Sequence, residues 1–101
     1  MALTTKNWPL NSYTNATWTD LVAEPATVAA ITIVNTGGGD VIVQLRLEDS
    51  AVSQAVILTP STIGSNESYT LDVRSINVTG TQKIQFQADV AGAEVLASGV
   101  V

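Results

Sequence analysis

The sequence predicts an all-β fold: a single antiparallel β-sandwich of about seven strands, jelly-roll or immunoglobulin-like, with an extended N-terminal arm. Three observations lead to this prediction. Thr and Val, whose β-branched side chains favour strands, dominate the chain. Apolar and polar residues alternate with a period of two in several runs, which Gly, Asn, Asp, Ser and Pro separate. No window carries a sustained helical stripe, so no helix longer than one turn is expected.

Seven runs have the length and composition of strands, and they recur at the regular spacing typical of a sandwich or barrel. The length of 101 residues fits one domain. We therefore assign residues 17–101 to the sandwich and residues 1–16 to the arm. The predicted strands span approximately 17–23, 27–35, 40–49, 54–63, 68–74, 81–90 and 94–101.

The third run alternates most regularly, which predicts one buried and one mostly wet face. The second run, "TVAAITIVN", and the last, "EVLASGVV", are apolar on both faces, so each is either central or packed against another molecule. Pro60 indicates that the fourth run is an edge strand or ends there. In the third run, the expected buried set is Val41, Val43, Leu45 and Leu47, and the expected exposed set is Asp40, Ile42, Gln44, Arg46 and Glu48.

The first sixteen residues are polar, contain Pro9 and show no alternation, which is why they are assigned to an arm. The aromatic and aliphatic residues of this arm could pack on their own domain or anchor a neighbouring subunit, and both alternatives remain open. On the body, three further residues are candidates for contacts. The predicted subunit-contact residues are Trp8, Leu10, Tyr13, Trp18, Ile42 and Arg46.

Composition excludes many kinds of chemistry. The chain has no Cys and no His, which rules out disulfides, thiolate or imidazole metal ligands and Ser-His or Cys-His nucleophiles. Nine acids against four scattered bases give a net charge of −5, which disfavours direct binding of nucleic acid. No uncharged apolar run is long enough to span a membrane. We therefore expect that the protein is not an enzyme, uses no cofactor or metal, and binds neither nucleic acid directly nor a membrane.

Two motifs have a chemical and a structural interpretation. Gly37, Gly38 and Gly39 could cradle a phosphate only if a helix followed them, and a strand follows, so a hairpin turn with positive φ is predicted. Glu48 and Asp49 are adjacent in a strand, so they point to opposite faces and are expected to be solvated. A calcium site built from Asp40, Glu48, Asp49 or Glu67 with backbone carbonyls is an open alternative that no calcium-loop motif supports.

Residues 18–101 resemble a family of small β-sandwich virion proteins of tailed bacteriophages. The resemblance rests on strand pattern and turn residues, and the long segment before Trp18 lies outside it. At Gly80 this chain has "GTQK" where the family often has Gly-Asp, so the acid is missing. The stretches that carry the resemblance are "WTDLVAEPATVAAITIVNTGGG", "DVIVQLRLEDS", "TPSTIGSNESYTLDV" and "TGTQKIQFQADVAGAEVLASGVV".

The resemblance implies a structural virion protein, foremost a capsid decoration or cement protein that stabilises the shell by subunit contacts. The alternative is a tail, neck or fibre component that acts as a receptor- or carbohydrate-binding module, with Trp18 as a candidate ligand contact. The expected partners are the major capsid protein or other virion proteins, and a homo-oligomer is expected, with a trimer as one form. The expected location is the virion, on the capsid surface, after synthesis in the host cytoplasm.

Overall fold

The computed structural model describes residues 3–50 and 52–101, apart from the side chain of Arg74. Eight strands in these residues form two four-stranded antiparallel sheets. The described residues contain no helix, and therefore none long and apolar enough to cross a membrane. The strands are β1 (Thr5–Leu10), β2 (Thr19–Val22), β3 (Ala26–Asn35), β4 (Val41–Asp49), β5 (Val52–Ile63), β6 (Ser68–Val78), β7 (Gln82–Ala88) and β8 (Ala93–Val100).

The strand order identifies a jelly-roll sandwich. Sheet 1 has the order β1-β8-β3-β6, and sheet 2 has the order β2-β7-β4-β5. The first strand pairs with the eighth, the second with the seventh, the third with the sixth and the fourth with the fifth. The chain is thus one long hairpin whose successive pairs alternate between the two sheets, as in a jelly roll. The predicted antiparallel sandwich is confirmed, with the first of its two anticipated topologies.

The core lies between the sheets and consists of the inward residues of the alternating strands. Val41, Val43 and Leu45 of β4 are buried as predicted, and Phe86 of β7 is among the largest fully buried side chains. Glu48 is an exception, since it was expected on the wet face but is 5% exposed. Its side chain still lies on the outer face, where it lines a cleft with Arg46 and Lys83, and the pairing of β4 with β7 continues in register at this point.

The N-terminal segment contains a strand that the sequence pattern did not predict. β1 pairs with β8 at the edge of sheet 1, and Trp8 lies opposite Ala97 with only 7% of its surface exposed. Its indole N–H donates to Glu24 Oε2 at 2.9 Å. Only Trp8 and Leu10 of this strand face inward, so the alternation is too short to detect, and an edge strand tolerates Pro9. Of the two alternatives for the arm, packing on its own domain is the one observed.

The strands that are apolar on both faces are central strands. β3 lies between β8 and β6, and β8 lies between β1 and β3. β5 is an edge strand of sheet 2, as Pro60 indicated, although it continues past this residue to Ile63. The central positions of β3 and β8 place apolar and hydroxyl side chains on the outer surface of sheet 1.

The prediction of a hairpin at the three glycines is wrong. Residues 36–40 connect β3 in sheet 1 to β4 in sheet 2, so they cross the sandwich instead of joining neighbouring strands. Among the described glycines, the positive φ angles occur at Gly80 (60°) and Gly92 (119°). The fully buried side chain of Asn35 shapes the crossing, accepting a hydrogen bond from Gly37 N–H at 2.9 Å and donating to Gly39 O at 2.7 Å.

The contact between β1 and the loop before β3 is expected to make stability depend on pH. The Lys6 ammonium, which hydrogen-bonds to Glu24, and the Trp8 indole hold the pKa of the Glu24 carboxyl below its ordinary value of 4.5. Because the folded state lowers this pKa, the stabilisation is complete above pH 4.5 and is lost as the pH falls through the folded-state value. Glu24→Gln should remove this acid-dependent loss.

Urea unfolding across this pH range measures the effect as a change in the slope of unfolding free energy against pH. Glu94→Gln, at an exposed position of β8, is the charge-matched control and should keep the wild-type slope. An unchanged slope in the Glu24 variant would show that the contact with Lys6 and Trp8 contributes nothing.

Candidate functional site

The described residues contain no group of three or more acidic side chains that could hold a metal ion. Asp49 accepts a hydrogen bond from the Thr81 hydroxyl, and Glu48, its neighbour in the strand, is buried. These two carboxylates therefore occupy different environments, which is not the arrangement of a paired acid and base. The candidate sites are the two outer surfaces of the sandwich.

Three of the predicted contact residues belong to the N-terminal segment, and all three pack within the domain. Trp8 is buried in the core. The Tyr13 ring packs edge-to-face on Phe86, with centroids 5.5 Å apart, while its hydroxyl donates to Val90 O at 2.8 Å and accepts from Ala93 N–H at 3.1 Å. Leu10 is half-buried against the core and borders a surface groove.

The other three predicted contact residues lie on or beside the outer face of sheet 2. The Arg46 guanidinium carbon lies 4.3 Å from the centre of the Trp18 ring, and both residues are half-buried. Ile42 is 41% exposed and lies further along β4, where its N–H donates to Asp89 Oδ1 at 2.9 Å. The structure thus brings Trp18 and Arg46 together and leaves Ile42 apart from them.

A hydrogen-bonded row of polar side chains crosses three strands of sheet 2. Arg46 Nε donates to Gln85 Oε1 at 2.9 Å, and Gln85 Nε2 donates to Asp20 Oδ1 at 2.8 Å. The other carboxylate oxygen, Asp20 Oδ2, lies 3.3 Å from the Lys83 ammonium. Strand register aligns these groups, because Gln85 is opposite Asp20 on β2 and Arg46 on β4.

Beside this row lies an open cleft, which we call the Trp18 cleft. It has a volume of about 720 Å³. Its walls combine an indole, two cationic side chains, an amide, a buried carboxylate and three hydroxyls. The lining residues are Thr17, Trp18, Arg46, Glu48, Ser50, Thr81, Lys83 and Gln85.

The outer surface of sheet 1 has a different chemistry, and we call it the neutral face. One row across the four strands runs from Pro9 through Leu96 and Thr32 to Thr70. A groove of about 330 Å³, between β1 and β3, has mainly apolar walls. By register and alternation, the face comprises Thr5, Asn7, Pro9, Thr27, Ala30, Thr32, Val34, Ser68, Thr70, Asp72, Asn77, Glu94, Leu96, Ser98 and Val100.

None of the six predicted subunit-contact residues lies on the neutral face. The two runs that are apolar on both sides indicated that an outer surface of the sandwich is apolar. Their sequence could not show that the two strands lie side by side. Only the long-range pairing of β3 with β8 joins them into one surface. Leu96, at the centre of this surface, is 39% exposed and would have been a better contact candidate than Trp8.

Comparison with known proteins adds little to this description. No protein-family profile matches the chain, and no curated protein matches it in sequence. A solved structure described as the crystal structure of PirA is similar, with a TM-score of 0.46 and 16% sequence identity, over 96% of this chain and 93% of that chain. This distant similarity supplies no argument about function.

Proposed function

We propose that this chain is a structural protein of a tailed-phage particle, foremost a capsid decoration or cement protein that stabilises the shell through subunit contacts. The observation that carries the proposal is the neutral face. The resemblance of residues 18–101 to small virion proteins supports the same role. Jelly rolls serve both as virion proteins and as lectins, so the chemistry of the surfaces matters more than the fold.

The composition of the neutral face is that of an interface. Among the fifteen positions of this face whose side chains the structure describes, two carry charge, Asp72 and Glu94, and both are acids. Interface centres are depleted of charged residues, because docking a charged side chain requires its desolvation. Hydroxyl groups lose less on docking, since a partner's backbone and side chains can replace their water. The groove beside Leu96 can accept an apolar anchor from the partner.

Charge also favours a contact through this face. Each copy has a net charge of −5, so neighbouring copies on a shell repel each other where their acids face. With two acids among the fifteen described side chains of the neutral face, that repulsion is small. We propose the major capsid protein as the partner of this face. Self-association of the chain into a homo-oligomer, for example a trimer, is also part of the proposal. Because the same contact would be repeated many times over a shell, each single contact can be weak and the chains still stabilise the particle.

The structure changes how this proposal can be tested. Deleting residues 1–16 would be an obvious test of an arm, but it would remove β1 and leave the core without Trp8. Loss of binding would then report loss of folding. A substitution on the neutral face that leaves the core intact is the better test.

Leu96→Lys should reduce incorporation of the chain into particles at least about tenfold, because a lysine at the centre of the neutral face would have to be desolvated on docking. The measurement is the copy number per major capsid protein, by quantitative mass spectrometry of gradient-purified particles. Val56→Lys is the control, since Val56 is also an exposed aliphatic residue but lies on β5 of the opposite sheet. It should incorporate at the wild-type level.

Two results would contradict this proposal. Wild-type incorporation of the Leu96 variant would show that the neutral face does not dock on the shell. A few copies of the wild-type chain at the tail tip, seen by electron microscopy, would overturn the decoration role. That result would favour the alternative, a tail, neck or fibre component acting as a receptor- or carbohydrate-binding module. The Trp18 cleft is the observation that keeps this alternative open.

A further inference from the structure

We propose that the Trp18 cleft is a binding site for a neutral saccharide, with Trp18 and Arg46 as its central contacts. The inference does not depend on the decoration role. The cleft lies on the outer face of sheet 2, whereas the neutral face belongs to sheet 1. A particle protein can therefore carry both surfaces without either covering the other.

The cleft is organised before any ligand arrives. Arg46 is held by its hydrogen bond to Gln85 and by its contact with the Trp18 ring. Gln85 is fixed on its other side by Asp20, which also pairs with Lys83. Because these side chains are already ordered in the folded domain, a ligand loses less free energy in fixing them.

The groups that face the cleft match a polyhydroxylated ligand. The guanidinium of Arg46 has five N–H donors in a planar fork, and the described hydrogen bond to Gln85 engages Nε alone. The hydroxyls of Thr17, Ser50 and Thr81 can each donate and accept. Arg46 covers one face of the Trp18 indole, and the rest of the ring adds an apolar surface with a donor at one edge. A pyranose ring presents the complementary set, with C–H groups on its faces and hydroxyls around its rim.

Charge balance in the cleft favours a neutral ligand over an ionic one. The cations Arg46 and Lys83 are matched by the buried Glu48 in the wall and by Asp20, which pairs with Lys83. A phosphate or an acidic sugar would meet the Glu48 carboxylate in the wall and a protein of net charge −5. An ammonium ligand would meet the two cations. Uncharged hydroxyls encounter neither repulsion.

The size of the cleft sets the expected affinity. Its volume of about 720 Å³ lies in the range of small-molecule sites and accommodates one or two sugar rings. The cleft is open and polar, so much of the ligand stays in contact with solvent. For a single sugar ring we expect a dissociation constant of about 1 mM.

The two tryptophans provide a specific readout. In a ¹H–¹⁵N spectrum of the whole chain, the indole N–H signals of Trp8 and Trp18 can be followed separately while D-glucose, D-galactose, D-mannose and N-acetyl-D-glucosamine are titrated. We expect at least one of these sugars to shift the Trp18 signal with saturation and to leave that of the buried Trp8 unchanged. D-Glucuronate serves as the charged comparison and should bind at least about tenfold more weakly than the best neutral sugar.

Variants separate direct contact from structural effects. Trp18→Ala and Arg46→Met should each weaken binding at least about tenfold, while an unchanged Trp8 signal shows that the fold is intact. Ile42→Ala, on the same sheet but outside the cleft, should bind as the wild type does. The proposal is wrong if no neutral sugar shifts the Trp18 signal at about ten times the expected dissociation constant, if glucuronate binds better, or if the Trp18 variant keeps its affinity.

Discussion

Replacing Asn35 with alanine is expected to lower the free energy of unfolding by about 3 to 4 kcal/mol. The Asn35 side chain is fully buried and makes three hydrogen bonds to backbone groups. Its Oδ1 accepts from Gly37 N–H at 2.9 Å, and its Nδ2 donates to Gly39 O at 2.7 Å and to Ile63 O at 2.9 Å. Alanine leaves all three groups without this partner, and an unsatisfied buried polar group costs about 1 to 3 kcal/mol.

The effect should be large because Asn35 joins three connections at one end of the sandwich. Its backbone N–H donates to Glu67 O, and its carbonyl accepts from Asn66 N–H, both at 2.9 Å. A Cβ placed on Gly92 would lie 3.2 Å from Asn35 Oδ1, so the turn between β7 and β8 also packs on this side chain. Loss of the amide thus loosens the crossing between the sheets and both neighbouring turns.

Urea unfolding and calorimetry of the Asn35 variant give the measurement, and we expect a decrease in Tm of about 15 °C. Asn77→Ala is the matched control. Asn77 makes an exposed hydrogen bond, in which its Oδ1 accepts from Thr27 Oγ1 at 2.9 Å. Its removal should change stability by no more than about 0.5 kcal/mol. If both variants lose the same free energy of unfolding, the buried hydrogen bonds of Asn35 contribute no more to stability than the exposed one of Asn77.

The sequence pattern predicted those parts of the fold that depend on local periodicity. The alternation in β4 placed Val43 and Leu45 in the core correctly. β1 escaped detection because its inward side chains, Trp8 and Leu10, are interrupted by Pro9. The position of a strand in its sheet is a separate property, since it depends on pairing between residues far apart in the chain.

Pairing between distant residues also explains why the candidate sites could be predicted only in part. Trp18 and Arg46 were each named as contact residues, but their contact requires β2, β7 and β4 to lie side by side. Asn35 looked like any other polar residue at the end of a strand. Its role arises from the crossing between sheets, where backbone groups of residues 37–39 have no strand partner and take their hydrogen bonds from a side chain.

Replacing Gly99 with alanine is expected to destabilise the domain by about 3 kcal/mol, near the upper end for overpacking. Gly99 lies opposite Val28, where Ala29 forms a bulge in the pairing of β3 with β8. A Cβ at Gly99 would lie 2.0 Å from the carbonyl oxygen of Thr27 and 2.9 Å from Val28 Cα. Both are backbone atoms, so relief requires the two central strands of sheet 1 to move apart.

Gly38→Ala provides the matched control for this prediction. Nothing lies within 4 Å of a Cβ built at Gly38, and this residue is outside the set with positive φ. Alanine should be neutral there or stabilise by up to about 1 kcal/mol, because it reduces the freedom of the unfolded chain. Urea midpoints of the two variants, measured with the same slope, decide the matter. If Gly99→Ala unfolds at the wild-type midpoint, the bulge in β3 does not press on β8, and the close approach of these strands places no constraint on the sequence.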